Sequence, residues 1–422
     1  MSAPTRVPDA GEVGRAAARA VQRITEGPLG AYQSAVVRIG ISATCLLFLL
    51  RELPHRHELY GPDGPWSWDM AHRLIANNGA FTALMWSDSA IWFETVFMLT
   101  LVSAALLMVG WRARSTSVLF MVGVLSLQNR SIFMGDGGDN VIHLMAIYLV
   151  LTRCARVWSL DARRAERDAA RVAEGSGPPR DVVGPILWVV LGAVLLPATL
   201  LGGLGGTWWL PSLLWMLWLG NAGWWVLNRY APGHELRTLL DVVANLAHNV
   251  ALLVIMAEVC LIYATAGWYK IQGSRWQDGT AIYYPLKLDY FAPWPGLSGL
   301  VASSALAVMV MTYATVIVQV AFPFTLFNRR VKNVLLVLMI GEHAGIAVLL
   351  GLPFFSMAMI AADAVFLPTV FLVWLGRRVV IGRQRLFSRP PKRRPVPAQR
   401  RAGTDEGEAP RGGGASGHTL VG

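Results

Sequence analysis

Residues 242–270, "VVANLAHNVALLVIMAEVCLIYATAGWYK", hold almost nothing but apolar and small residues as far as 266, with one acid, Glu258, and end at Lys270 beside Trp268 and Tyr269. About 25 residues at 1.5 Å rise are enough to cross a hydrocarbon core of about 30 Å. The stretch therefore predicts a membrane-crossing helix that leaves the bilayer through an aromatic belt. Lys270 is placed where it leaves. One reading is a snorkelling lysine, its stem along the apolar boundary and its ammonium in water. The other is a desolvated amine that can be neutral and act as a base.

The rest of the chain follows this pattern. It is 54% hydrophobic and only 15% charged over 422 residues, too apolar for a water-soluble globule of this length. Ten apolar stretches are long enough to span, near residues 34–50, 90–110, 116–133, 141–158, 184–202, 208–227, 242–266, 298–324, 333–350 and 354–375. Backbone groups in lipid must be satisfied internally, and no run of short alternating strands indicates a barrel. The expected fold class is all-α: a polytopic integral membrane helix bundle of about ten transmembrane helices with no large soluble domain. Tight hairpins are expected at "LGGLGGTWW" and "GLPFF". The absence of an internal repeat gives no support to transporter-like symmetry.

Charge sets the orientation. With both termini on one side, the segments on that side hold 29 Lys and Arg against 7 in the loops opposite, so the first set is expected in the cytoplasm. Lys270 then faces outward. The net charge of +11 is explained by this asymmetry, and no nucleic-acid reader motif accompanies it. Expected boundaries are a cytoplasmic segment 1–33, a transmembrane domain 34–376 and a basic cytoplasmic tail 377–422. Residues 12–26, "EVGRAAARAVQRITE", form a basic amphipathic helix suited to the inner surface. No cleaved signal peptide is expected. Residues 159–182 read as a charged connector, and from about residue 383, including His418, the tail has the composition of a disordered segment. Cys45, Cys154 and Cys260 are singly placed and read as packing residues rather than a redox or zinc centre.

Ionisable groups inside apolar stretches are costly, so they are expected to face protein or a wet cavity. Glu94, His143, Glu258, Glu342, His343 and Asp363 are such groups. Each has a plainer role as an interfacial or helix-bonding residue, and His248 is read as structural. Together they favour the outer half, where a shared cavity would gather Glu94, His143, Glu258 and His343.

Three blocks carry a resemblance to a known family. "AGWYK" with "RWQDGTA" around Lys270, "GEHAGIAVLLGLPFFSMAMIAADAVFLP" at 341–368, and the weaker "SIFMGDGGDNVIHLMAIYLVLTRCARVWSLDA" at 131–162 resemble the horizontally transferred transmembrane (HTTM) domain, whose relatives include vitamin K-dependent gamma-glutamyl carboxylases. The resemblance covers roughly residues 30–376. It implies that Lys270 deprotonates a reduced quinone and that His343 is a partner in the chemistry. Either Asn140 or His143 takes the place of a further functional residue. In that chemistry the deprotonated quinol reacts with oxygen to give a strong base that removes a glutamate gamma proton, and carbon dioxide adds. The implied cofactor is a reduced menaquinone or related quinol, and the implied partners are the bilayer and a small peptide substrate.

The chain departs from the carboxylases in lacking a β-rich region after the spans. Its long outer loop, 51–89, holds His55, His57 and His72 without metal-ligand spacing. Two expectations follow: an outer-face carboxylase-like enzyme, or a non-catalytic membrane protein for peptide maturation, binding or export. The second resembles the membrane component that accompanies sporulation-delaying peptides.

Overall fold

The computed structural model describes residues 10–176, 181–231 and 233–387, and these are helical with no strand. The helices in chain order begin with α1 (Ala10–Glu26), α2 (Ala31–Glu52), α3 (Arg56–Tyr60), α4 (Trp68–Asn78), α5 (Ala90–Val109) and α6 (Ala113–Arg130). Next come α7 (Gly137–Leu151), α8 (Leu160–Ala173), α9 (Val183–Leu200), α10 (Trp209–Tyr230), α11 (Glu235–Gln272) and α12 (Ser274–Gln277). The last are α13 (Tyr283–Leu286), α14 (Pro295–Ala302), α15 (Ala305–Ala321), α16 (Arg329–Leu349), α17 (Pro353–Asp363) and α18 (Thr369–Phe387).

Each apolar stretch read from the sequence falls on helix. Among the described residues six helices are long and apolar enough to cross a membrane, or seven if one bent pair counts as a single span. α9 exposes Ile186, Val189, Val190, Val194 and Leu196, a continuous apolar surface that water would penalise. The structure thus shows an all-helical chain with the apolar helices of a membrane protein.

Two expected spans are not continuous. The stretch 298–324 is divided between α14 and α15 at Ser303–Ser304, where the Ser304 side chain accepts from the Ala307 N–H as an N-cap. The stretch 354–375 is divided at Leu367–Pro368, where two helices meet in a sharp bend and proline lacks the N–H a continuing helix needs. The expected span 141–158 is also shorter, since α7 stops at Leu151 and Thr152 is extended. The connector 159–182 contains a helix, α8, which Ser159 caps. The chain divides into two compact units, one ending at Leu375 and one starting at Gly376. In the second, residues 376–387 continue α18, so helix reaches past the expected start of the disordered tail, and the remainder including His418 lies outside the described residues.

In the first unit, α2 packs against α5, α7 and α17, and α6 packs between α5 and α7. Val37, Ile41, Phe97, Phe120, Met121 and Met145 fill this core. Within it Arg38 is fully buried and donates to the carbonyls of Leu107 (2.6 Å), Met108 (2.9 Å), Trp158 (2.8 Å) and Cys154 (3.3 Å). A cation therefore satisfies the last carbonyls of α5, the end of a helix that favours positive charge. The approach requires Gly110: its φ is 67°, and a Cβ there would lie 2.6 Å from Arg38 Nη1.

The helix ends gather into two polar layers. In one, Arg112 pairs with Asp181, the Asp161 carboxylate caps the start of α6, and Arg153 pairs with Asp241. In the other, Arg56 pairs with Glu94, the Trp66 indole donates to the Arg130 carbonyl, and Gly206 N–H donates to Gly79 O.

Candidate functional site

The site is laid out along α11. Its buried residues, Asn245, His248, Leu252, Ile255, Val259, Tyr263 and Gly267, recur every three or four positions and form one stripe. At 38 residues the helix is about 57 Å long, more than a bilayer core requires. Its N-terminal half is fixed by α1: the amides of Asn245 and Asn249 donate to the carbonyls of Thr25 and Ile24. His248 Nε2 lies 2.7 Å from Leu29 O and its Nδ1 accepts from the Arg153 N–H, so this histidine is structural. Toward the other end Gly267 admits α15, because a Cβ there would lie 2.6 Å from Val320 Cγ2. That close approach lets Gln319 reach Lys270.

Two polar chains then meet on α16. In the first, Lys270 Nζ donates to Gln319 Oε1 at 2.8 Å, and Gln319 Nε2 donates to Glu342 Oε1 at 2.6 Å. The Trp276 ring stands 5.2 Å from the Lys270 amine, a cation–π contact that holds it at the helix end. In the second, the Tyr263 hydroxyl donates to the Asp363 carboxylate at 2.9 Å and lies 2.9 Å from His343 Nε2. Glu342 and His343 are neighbours in the chain, so α16 joins the two halves. Tyr263, His343 and Asp363 are buried; Lys270 and Glu342 are half-buried.

The hydrogen-bond directions assign the histidine tautomer. A tyrosine hydroxyl has one proton, and it goes to Asp363. With Asp363 ionised and accepting that proton, His343 Nε2–H donates to the Tyr263 oxygen and Nδ1 is a bare acceptor. That atom is buried and has no partner in the structure. An unsatisfied polar atom in an apolar interior costs about 1–3 kcal/mol. The cluster is therefore a set of interlocked acids and bases with one acceptor open to a protic group.

The other residues singled out in the sequence lie elsewhere. His143 Nδ1 is 2.9 Å from Gln128 Oε1, across α6 and α7. Asn140 is exposed in the first turn of α7, which Asp136 and Asp139 cap reciprocally. This turn does come close to the cluster: a Cβ on Gly138 would lie 2.7 Å from Phe355 Cα, and the Phe355 ring meets the His343 ring edge-on at 5.6 Å. Glu94 is engaged by Arg56 and His57, and Glu258 lies half-buried on α11. The structure gives Glu94 and His143 separate local partners rather than one shared cavity with His343. In the loop 51–89, His55 faces Glu58 and His72 stacks on Trp68. Among the described residues no group of histidines, cysteines and acids could hold a metal ion, and the three cysteines are free.

Gln319 and Tyr263 are the members that sequence reasoning missed. Tyr263 stands seven residues before Lys270, two helical turns along the same face, and that spacing was the available signal. Compared with family models, curated proteins and solved structures, the chain matches none of them.

Proposed function

We propose that the chain is a multi-pass protein of the cell membrane, of the HTTM family, with both termini cytoplasmic, and that its cluster receives a proton from a lipid quinol at the outer face. The observation that carries this reading is the cluster itself: Lys270, Gln319, Glu342, His343, Tyr263 and Asp363 converge from α11, α15, α16 and α17. Ionisable residues so placed among apolar helices are costly unless they serve a site. The open His343 Nδ1 fits a hydroxyl donor, and the aromatic surface beside Lys270, with Trp268 and Tyr269 exposed, suits a ring arriving along the bilayer.

A reduced quinone of menaquinol type would supply an acidic hydroxyl and reducing equivalents when bound. Lys270, in its neutral form, takes the hydroxyl proton at Nζ and becomes an ammonium. Gln319 orients that amine, and Glu342 beyond it supplies the negative charge that stabilises the ammonium. His343 Nδ1 accepts a hydrogen bond and orients the reacting group, held by Tyr263 and Asp363. Carboxylase-like use of a small peptide substrate is the reaction class this reading carries, with Asn140 or His143 at its edge through the α7 turn.

A specific observation favours the second reading, in which the chain serves peptide maturation, binding or export without catalysis. All six members bond within the cluster as helix-joining polar groups do. Mass spectrometry of lipids extracted from the purified protein separates the two. The catalytic reading expects a prenylated quinone near one per chain, reduced in amount by His343→Leu. Quinone no richer than in the surrounding membrane would overturn it in favour of the second.

A further inference from the structure

A second cavity, remote in sequence from the Lys270 cluster, lies among α6, α9, α10 and α11. It has a volume of about 350 Å³, within the range of small-molecule sites. Its apolar lining includes Leu195, Leu214, Leu217 and Val122. It opens into a further space of about 540 Å³, with Arg114, Ser115, Trp188, Asn221 and Trp224 common to both. The two form one groove, apolar within and polar at the mouth. Its wall is fixed by Trp188 and Trp218, stacked at 4.1 Å, each indole donating to the other's carbonyl at 3.0 Å.

The mouth is basic. The Trp224 ring has Arg237 at 4.1 Å, Arg114 at 4.5 Å and Arg153 at 5.4 Å. Asp241 pairs with both Arg153 and Arg237, and Asp181 pairs with both Arg112 and Arg164. Each acid is thus shared by two cations, and Asp161 is occupied by the backbone N–H groups of Arg112 and Ala113. Arg114 has no carboxylate within ion-pair distance among the described residues. Excess positive charge therefore stands at the open end of an apolar groove.

We infer that this groove is a binding site for an anionic phospholipid, its phosphate at Arg114 and the Trp224 arginines and an acyl chain in the apolar cavity. A zwitterionic lipid would leave the excess charge unanswered, and a free anion would leave the apolar cavity unfilled. Basic pockets between membrane helices select anionic headgroups for this reason, and arginine suits phosphate through its planar fork of donors. The mouth lies in the polar layer that carries Arg112, Arg153 and Asp181, the layer the charge asymmetry assigns to the cytoplasm.

Native mass spectrometry of the full chain in detergent tests the site, with phosphatidylglycerol and phosphatidylcholine of identical acyl chains titrated separately. Phosphatidylglycerol is expected to bind at least tenfold more tightly, and millimolar inorganic phosphate is expected not to displace it. Arg114→Gln should weaken phosphatidylglycerol about tenfold and narrow its preference over phosphatidylcholine. Gly220 lines the cavity, and a Cβ there meets nothing within 4 Å, so Gly220→Phe should fill the space and abolish tight binding without a backbone clash. Equal binding of the two lipids, displacement by phosphate alone, or unaltered binding in Gly220→Phe would each overturn the inference. The wild-type comparison stands even if Arg114→Gln fails to fold.

Discussion

Tyr263 is the one side chain that bonds to both Asp363 and His343, so its hydroxyl decides whether both are satisfied. Tyr263→Phe removes that oxygen without changing the ring. The variant is expected to lose about 1–3 kcal/mol of stability, the cost of leaving buried partners unpaired, read as a lower thermal midpoint in detergent. Arg38→Met should cost more, about 3 kcal/mol or above, because the Leu107 and Met108 carbonyls at the end of α5 and the Trp158 carbonyl lose a charged donor together. An unchanged midpoint in Arg38→Met would show that the carbonyls find other partners. The sequence made Lys270, Glu342, His343 and Asp363 visible because a charge in an apolar stretch is conspicuous. Gln319 and Tyr263 carry no charge at neutral pH, so attention to charges within apolar stretches passes over them. Arg38 falls one turn inside the first span and looks like an ordinary flanking cation; only its four carbonyl partners reveal its role.

At the scale of elements, apolar length was legible and continuity was not. Hydropathy averages over Ser303–Ser304 and over Leu367–Pro368, and it records neither a serine cap nor a missing N–H. Those breaks can be read only from local chemistry, as Ser304 and Pro368 illustrate. The contact between α11 and α15 was likewise hidden, since it rests on the absence of a side chain at Gly267. Gly267→Leu should push α15 away from α11, cost about 1–3 kcal/mol and separate Gln319 from Lys270. The check is the thermal midpoint in detergent, which should fall in the variant and would stay unchanged if α15 were not packed against Gly267.

The join of α6 to α9 is electrostatic and pH-dependent. Arg112, donating to Asp181 at 2.6 Å, holds the Asp181 carboxyl well below its ordinary value, helped by the Gly184 N–H. A depressed carboxyl stabilises the fold above its unfolded pKa, about 3.9, and that contribution fades as pH falls further toward the folded value. Asp181→Asn should therefore lower the thermal midpoint at pH 7, and by a smaller amount at pH 2, where part of the contribution is already lost. The opposite trend would remove the ion pair from the account.

Across the whole molecule, charge alternates between loops, and residues of loops expected on one side are joined by Arg112–Asp181 and Arg153–Asp241. The sequence could suggest which loops share a side because insertion leaves its record in arginine and lysine. It could not show that these pairs join them, since the partners are far apart in the chain. Single cysteines at Ser67 and Asp289 should react with an impermeant reagent in intact cells, and one at Ser176 should not. Labelling of Ser176 alone would invert the molecule.

The central claim is that Lys270 takes a proton from a lipid quinol, and it is met most directly in proteoliposomes loaded with reduced menaquinone. Quinol-dependent oxygen uptake by the wild-type protein should be lost in Lys270→Met and also in Lys270→Arg, because guanidinium stays protonated and cannot accept the proton. Both variants should keep the wild-type thermal midpoint within about 1 kcal/mol of stability. Full oxygen uptake in either variant, or none in the wild type, would contradict the account.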